Sequence, residues 1–185
     1  MRLLHDPAAI WAARLALAAV FSLAAFTKLR ALDEFIGVVH NYRVLPEVLV
    51  RPVASGLPAL EAAIAVGLLI EPTRTLAASG AMVLLLVFGL AMAVNLLRGR
   101  VEIDCGCFAT ALKQRISWSL VARNLVLIGL ALLALRSPLP ARALTWLDWV
   151  TVGSAALGAV LLYIAFTQLR SLAPPVPPRP GEARP

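Results

Sequence analysis

The stretch TLAASGAMVLLLVFGLAMAVNLL, residues 75–97, runs 23 positions without an acidic or basic side chain. As a helix rising 1.5 Å per residue it is about 35 Å long, enough to cross a hydrocarbon core of roughly 30 Å. Arg74 and Arg98 close it off at both ends. The composition of the whole chain agrees. Of 185 residues, 61% are hydrophobic and 15% charged, and the mean hydropathy is +0.86. A soluble domain is nearer half apolar and a quarter charged, so this apolar excess does not fit inside one soluble core.

Four more apolar blocks of similar length flank this one, and the spans predicted are 8–27, 53–70, 75–97, 117–135 and 149–169. Lipid admits only helices and closed barrels, because every backbone polar group must be satisfied internally. Barrel strands would be about ten residues long and alternating. The fold class expected is therefore all-α, an integral membrane helical bundle of about five transmembrane helices. One helical domain over residues 1–170 accounts for all the spans. Trp11, Trp118, Trp146 and Trp149 stand near span ends, as interfacial anchors do. The first block reads as a span and not as a cleaved leader: Arg14 interrupts it, and no small-x-small site leads into a polar start.

The connections differ in length. EPTR (71–74) is a tight turn. The link from Lys28 to Pro52 is long, and Leu32, Phe35, Ile36, Val39 and Tyr42 recur in it at helical spacing, which predicts a short amphipathic helix after the first span. The connection after residue 97 is also long. With one crossing per span, these two long connections share a side of the membrane and can meet. The end of the chain, SLAPPVPPRPGEARP (171–185), holds six prolines and reads as a disordered tail, its Pro174–Pro177 PxxP spacing included.

Eleven of the 17 Lys and Arg residues fall on the side of the two long connections and four on the other, with Arg14 and Arg123 inside spans. By the positive-inside rule that side is cytoplasmic. The net charge of +7 suits anionic lipid headgroups and requires no nucleic acid.

The second long connection contains IDCGCF (103–108), with the only two cysteines, Cys105 and Cys107. Residues two apart can approach within bridging distance across a bend, and Gly106 tolerates the angles of so tight a ring. A disulfide there would be strained and readily exchanged, and it would remove little chain entropy as a staple. Three chemistries remain open for the pair. It can exchange disulfides with a partner thiol, hold a soft metal between two thiolates, or sit as two inert thiols in a buried loop. His5 and His40 supply no recognisable metal spacing. No nucleotide loop or hydrolase triad is visible.

The run NLLRGRVEIDCGCF followed by ISWSLVARN resembles the MauE family of methylamine-utilisation membrane proteins, and the wider MauE/DoxX group of redox-associated membrane proteins. FTKL, NYRVLP and LPALEAAIAVGLL agree upstream, and the resemblance covers about residues 8–135. The family commonly reads CGCFG, and this chain has Ala109 in the last place. The resemblance implies a role in maturing an exported enzyme, the disulfide-rich small subunit of methylamine dehydrogenase, beside a thioredoxin-like partner. It makes Cys105 and Cys107 the reactive pair. One cysteine pair cannot carry electrons far, so a second carrier is expected. A membrane quinone is the candidate, although no quinone motif is visible. A soft-metal transporter and a non-catalytic docking scaffold are the alternatives.

Several polar residues lie where lipid is expected. Glu61 is near the middle of the second span, a costly place for a charge and a functional candidate by default. A proton carrier, a contact for a quinone headgroup and a structural ion pair are its three readings. Arg14 and Arg123 fall within roughly one helical turn of its depth. Asn95, Arg123 and Asn124 lie toward the cysteine-bearing end. A cation there, Arg123 or Lys28, would favour a cysteine thiolate, while Asp104 would oppose it. Snorkelling of Arg123 and Lys28 to headgroups is the competing account.

Overall fold

The computed structural model describes residues 6–106, 115–136 and 145–172. Cys107, Lys113, Arg142 and residues 173–185 of the proline-rich tail lie outside the described residues. Six α-helices follow one another: α1 (Pro7–Arg30), α2 (Leu32–Tyr42), α3 (Glu47–Leu69), α4 (Arg74–Leu97), α5 (Trp118–Ala134) and α6 (Trp146–Leu172). A short 3-10 turn, Glu71–Thr73, joins α3 to α4. The all-helical membrane class is as expected. By length and composition α1, α3 and the stretch Glu71–Leu97 can each cross a membrane, and α5 is a shorter apolar helix.

Local sequence explains the helix starts. The Asp6 side chain accepts a hydrogen bond from Ala8 N at 2.8 Å, and Pro7 supplies a first turn that needs no amide donor. The amphipathic segment is α2, with Phe35 turned inward. Two boundaries differ from expectation. α3 begins at Glu47, six residues before the predicted span, and runs through Pro52 and Pro58. Proline removes one ladder bond but does not end a helix that its neighbours hold in place. α6 continues to Leu172, past the predicted end of the helical domain.

α1 is the central helix and packs against α3, α5 and α6. α3 runs antiparallel to it, as the pairing of Arg14 with Leu68 and of Lys28 with Glu61 requires. α4 returns alongside α3 and α5 alongside α4; Arg74 at the start of α4 donates to the Arg136 carbonyl just beyond α5, 2.7 Å away. α1 and α6 start at the same end, where the Trp11 and Trp149 rings meet at 5.4 Å.

The core between these helices is built from Leu17 and Phe21 of α1, Ile64 and Leu68 of α3, Ala78, Ala81 and Leu85 of α4, and Leu127, Ala131 and Ala134 of α5. Alanines at the contacts let backbones approach, which is how helices associate where lipid removes the hydrophobic driving force. At Gly67 a Cβ would come within 2.9 Å of the Ala77 Cβ, so that approach of α3 to α4 depends on glycine. Leu76, Leu90, Val126 and Leu162 face outward and are exposed, as lipid-facing side chains are.

Candidate thiol site

The two long connections meet, as their shared side requires. The cysteine loop leaves α4, turns back, and is closed by an antiparallel bridge between Asp104 and Arg115. Ile116 N donates to Ile103 O at 2.9 Å. Arg115 and Glu102 add an exposed ion pair at 3.4 Å. Asp104 thus contributes backbone to the bridge.

Between these ends the loop lies on α2. Gly106 has φ +72°, and a Cβ there would come 2.8 Å from Val38 Cγ1 and 3.3 Å from Phe35 Cε2. Both the left-handed backbone and the close approach call for glycine. Tyr42, the last residue of α2, donates its hydroxyl hydrogen to the Cys105 carbonyl at 3.3 Å. Arg100 ties the same corner to α4: its Nη1 reaches Asn95 Oδ1 at 3.2 Å and the Tyr42 carbonyl at 3.5 Å. The buried Asn95 amide donates to the Ala91 carbonyl at 3.0 Å. Asn95 therefore positions Arg100, and through it the end of α2.

Cys105 is half-buried, its sulfur held between two side chains. Met92 Sδ of α4 is 3.8 Å from Cys105 Sγ, and Arg123 Nη2 of α5 is 4.0 Å from it. Met92, Ile116 and Leu120 form a small apolar cluster against which Cys105 packs. A guanidinium at this distance favours the thiolate by direct charge attraction, and the thiolate is the nucleophilic form.

The other charged candidates sit deeper. Lys28 is in the last turn of α1, 2% exposed, and forms an ion pair with Glu61 of α3, 1% exposed. Glu61 is thus partnered by Lys28. Lys28 does not snorkel to headgroups. Its ammonium lies 5.1 Å from the Phe35 ring centre and 5.0 Å from that of Phe88. Arg14 serves the opposite end of α1. Its Nε donates to the Leu68 carbonyl at 2.7 Å, its Nη1 pairs with Glu71, and its guanidinium lies 3.9 Å over the Trp11 ring. A cation on the last carbonyls of α3 suits the negative end of that helix. Asn124 stands apart from the thiol. It is buried against Gly89 of α4, and its Nδ2 has no hydrogen-bond partner among the described residues.

Lys28, Phe35, Val39, Tyr42, Phe88, Met92, Cys105 and Gly106 line one cavity of about 190 Å3. Cys105 and Lys28, the cation of the buried ion pair, 77 residues apart in sequence, thus open onto one space. Tyr42, Met92 and Arg100 were not singled out for this site by sequence. The signal for Tyr42 was its hydroxyl at the end of an otherwise apolar helical face. Met92 lies about one turn before Asn95 inside the uncharged run 75–97, where nothing in sequence distinguishes it.

The family model described as methylamine utilisation protein MauE matches residues 6–137. The chain belongs to the MauE family. This family member is 49% identical to the methylamine utilization protein MauE of Paracoccus denitrificans over 91% of both chains. It is 47% identical to that of Paracoccus versutus over 92% of both chains. It is 44% identical to that of Methylorubrum extorquens, over 92% of this chain and 91% of the relative. No solved structure matches it. The matched region takes in α1 to α5 and the loop with both cysteines of this MauE-family chain.

Proposed function

We propose that this MauE-family protein is a membrane thiol–disulfide exchange protein acting in methylamine utilisation. In this reading Cys105 and Cys107 alternate between dithiol and disulfide. They receive electrons from a thioredoxin-like partner during disulfide formation in an exported enzyme, the small subunit of methylamine dehydrogenase. A partner thiolate attacks Cys105 of the Cys105–Cys107 disulfide, that S–S bond breaks as a mixed disulfide forms, and the partner's second thiol displaces Cys105, leaving the pair reduced and the partner oxidised. In reverse, Cys105 thiolate attacks the partner's disulfide and Cys107 resolves the adduct, the step that a Cys107→Ser variant arrests.

The observation that carries the reading is the setting of Cys105. Arg123 lies at its sulfur, Tyr42 holds its carbonyl, and Gly106 fits the loop against α2. An inert buried thiol has no need of a cation. A soft-metal site gains one donor from Met92, but the same guanidinium would repel a metal cation held on this sulfur.

The Lys and Arg distribution favours the cytoplasmic side of the bacterial inner membrane for the pair, and in that orientation electrons from an exported client reach it only through a further carrier. The test of exchange is trapping. Cys107→Ser should accumulate a mixed disulfide between Cys105 and a thioredoxin-fold protein on non-reducing gels. No adduct from either single serine variant, with methylamine dehydrogenase maturing normally, overturns the reading.

A further inference from the structure

The cavity beside Cys105 is apolar, yet it holds a buried cation. Phe35, Val39, Leu57, Phe88 and Ala91 form much of its wall. Val53 and Val87, on its rim, are exposed on the outward faces of α3 and α4. The cavity therefore opens sideways toward acyl chains. Lys28 reaches it from α1. An ammonium carries three donors. Among the described residues Glu61 accepts one, and Phe35 and Phe88 offer only ring faces. A fully buried cation with donors to spare, aimed into an apolar space, specifies a lipophilic ligand that brings its own hydrogen-bond acceptor.

We infer that this cavity binds the ring of a lipid-soluble quinone, one carbonyl oxygen accepting from Lys28 and the ring edge lying toward Cys105. The inference rests on the thiol-exchange reading and names the oxidant that reading requires. Size agrees: an apolar cavity of roughly 150 Å3 takes up a benzene, and about 190 Å3 suits one substituted ring with its tail leaving through the rim. An acyl chain would fill the apolar part and leave the ammonium donors unmet. A peptide strand is too large for it.

The step balances without another reagent. Two thiol S–H bonds break and the Cys105–Cys107 S–S bond forms. Two electrons and two protons pass to the quinone, whose carbonyl oxygens become the hydroxyls of a hydroquinone. Glu61 acts as a positioning residue, keeping the ammonium at the cavity.

The test uses the reduced full chain in lipid nanodiscs free of quinone, with decylubiquinone as probe. One quinone should be reduced per Cys105–Cys107 bond formed, with saturation. Ala91→Phe, which fills the cavity, and Val53→Trp, which blocks the rim, should each raise the half-saturating concentration at least tenfold while thermal unfolding shows a folded protein. Non-saturating oxidation overturns the inference, as does unchanged half-saturation in whichever variant folds. So does a phospholipid retained in native mass spectra that the probe does not displace. If diamide forms the bond and decylubiquinone does not, the quinone site alone fails. If neither forms it, the thiol-exchange reading fails as well.

Discussion

The Tyr42 hydroxyl and the Cys105 carbonyl, 63 residues apart in the chain, are joined by a hydrogen bond of 3.3 Å. With the Arg100 contact to the Tyr42 carbonyl, it ties the end of α2 to the cysteine loop, and it sits beside the one cysteine among the described residues. Tyr42→Phe should remove it at a cost of about 0.5–1.5 kcal/mol. The expected result is faster amide hydrogen exchange through residues 102–106 with bundle protection unchanged. Equal exchange in both proteins would mean that the bond does not hold the loop.

Gly106→Ala should be worse than a loop substitution usually is. The left-handed backbone costs a side chain about 1–2 kcal/mol, and the new methyl meets Val38 Cγ1. Adding Val38→Ala removes the clash and leaves the backbone strain. Partial recovery of Cys105 alkylation kinetics in the double variant is expected; full recovery would show that φ is unimportant.

Arg123 should govern how fast Cys105 reacts. In a Cys107→Ser background, iodoacetamide should modify Cys105 about three- to tenfold more slowly after Arg123→Gln, equivalent to roughly 0.6–1.4 kcal/mol. Arg123→Lys should retain part of the rate. An unchanged rate would place the guanidinium in a packing role.

Breaking the Lys28–Glu61 pair from one side should be costly. Removing one member of a buried ion pair costs about 3–5 kcal/mol, because the other charge stays buried. Lys28→Met and Glu61→Gln should each lower the unfolding temperature in detergent, and the double variant should be more stable than either single one. Additive losses would show that the two residues do not depend on each other.

The charge count makes a prediction about sidedness. A membrane-impermeant maleimide should fail to label Cys105 or Cys107 on intact cells and label them after permeabilisation. Labelling on intact cells reverses the orientation and puts the pair in the same compartment as an exported client.

Hydropathy made the helices legible because a membrane leaves so few alternatives. Residues 75–97 announced α4 almost to the residue, and the 3.6-residue spacing of Leu32 to Tyr42 announced α2. Charge partners were not legible. Depth counting put Arg14 and Arg123 level with Glu61, but depth says nothing about which way round a helix a side chain points. Lys28 stood at the edge of a predicted span and was counted with the loop. α1 runs on to Arg30, and that extra turn buries the ammonium. The second span was expected to begin at residue 53, and α3 instead starts at Glu47 and runs through Pro52, a proline that a packed bundle accommodates. The thiol loop itself was legible as a place; the residues that flank the sulfur come from α4 and α5 and meet only through tertiary packing.

The two buried cations of α1, Arg14 and Lys28, find their partners only after α1 has been made. Glu61 follows Lys28 by 33 residues and Glu71 follows Arg14 by 57. At about 5–20 residues per second the ribosome leaves each charge waiting on the order of 2–11 s. An uncompensated basic side chain opposes membrane insertion by about 2.5–3.5 kcal/mol at a helix centre, and by less toward the ends where Arg14 and Lys28 lie. α1 is therefore weakly held in the bilayer on its own. Its residence in the bilayer is secured only when the second half of the α1–α3 hairpin arrives, which makes that hairpin the unit that the insertion machinery must deliver together.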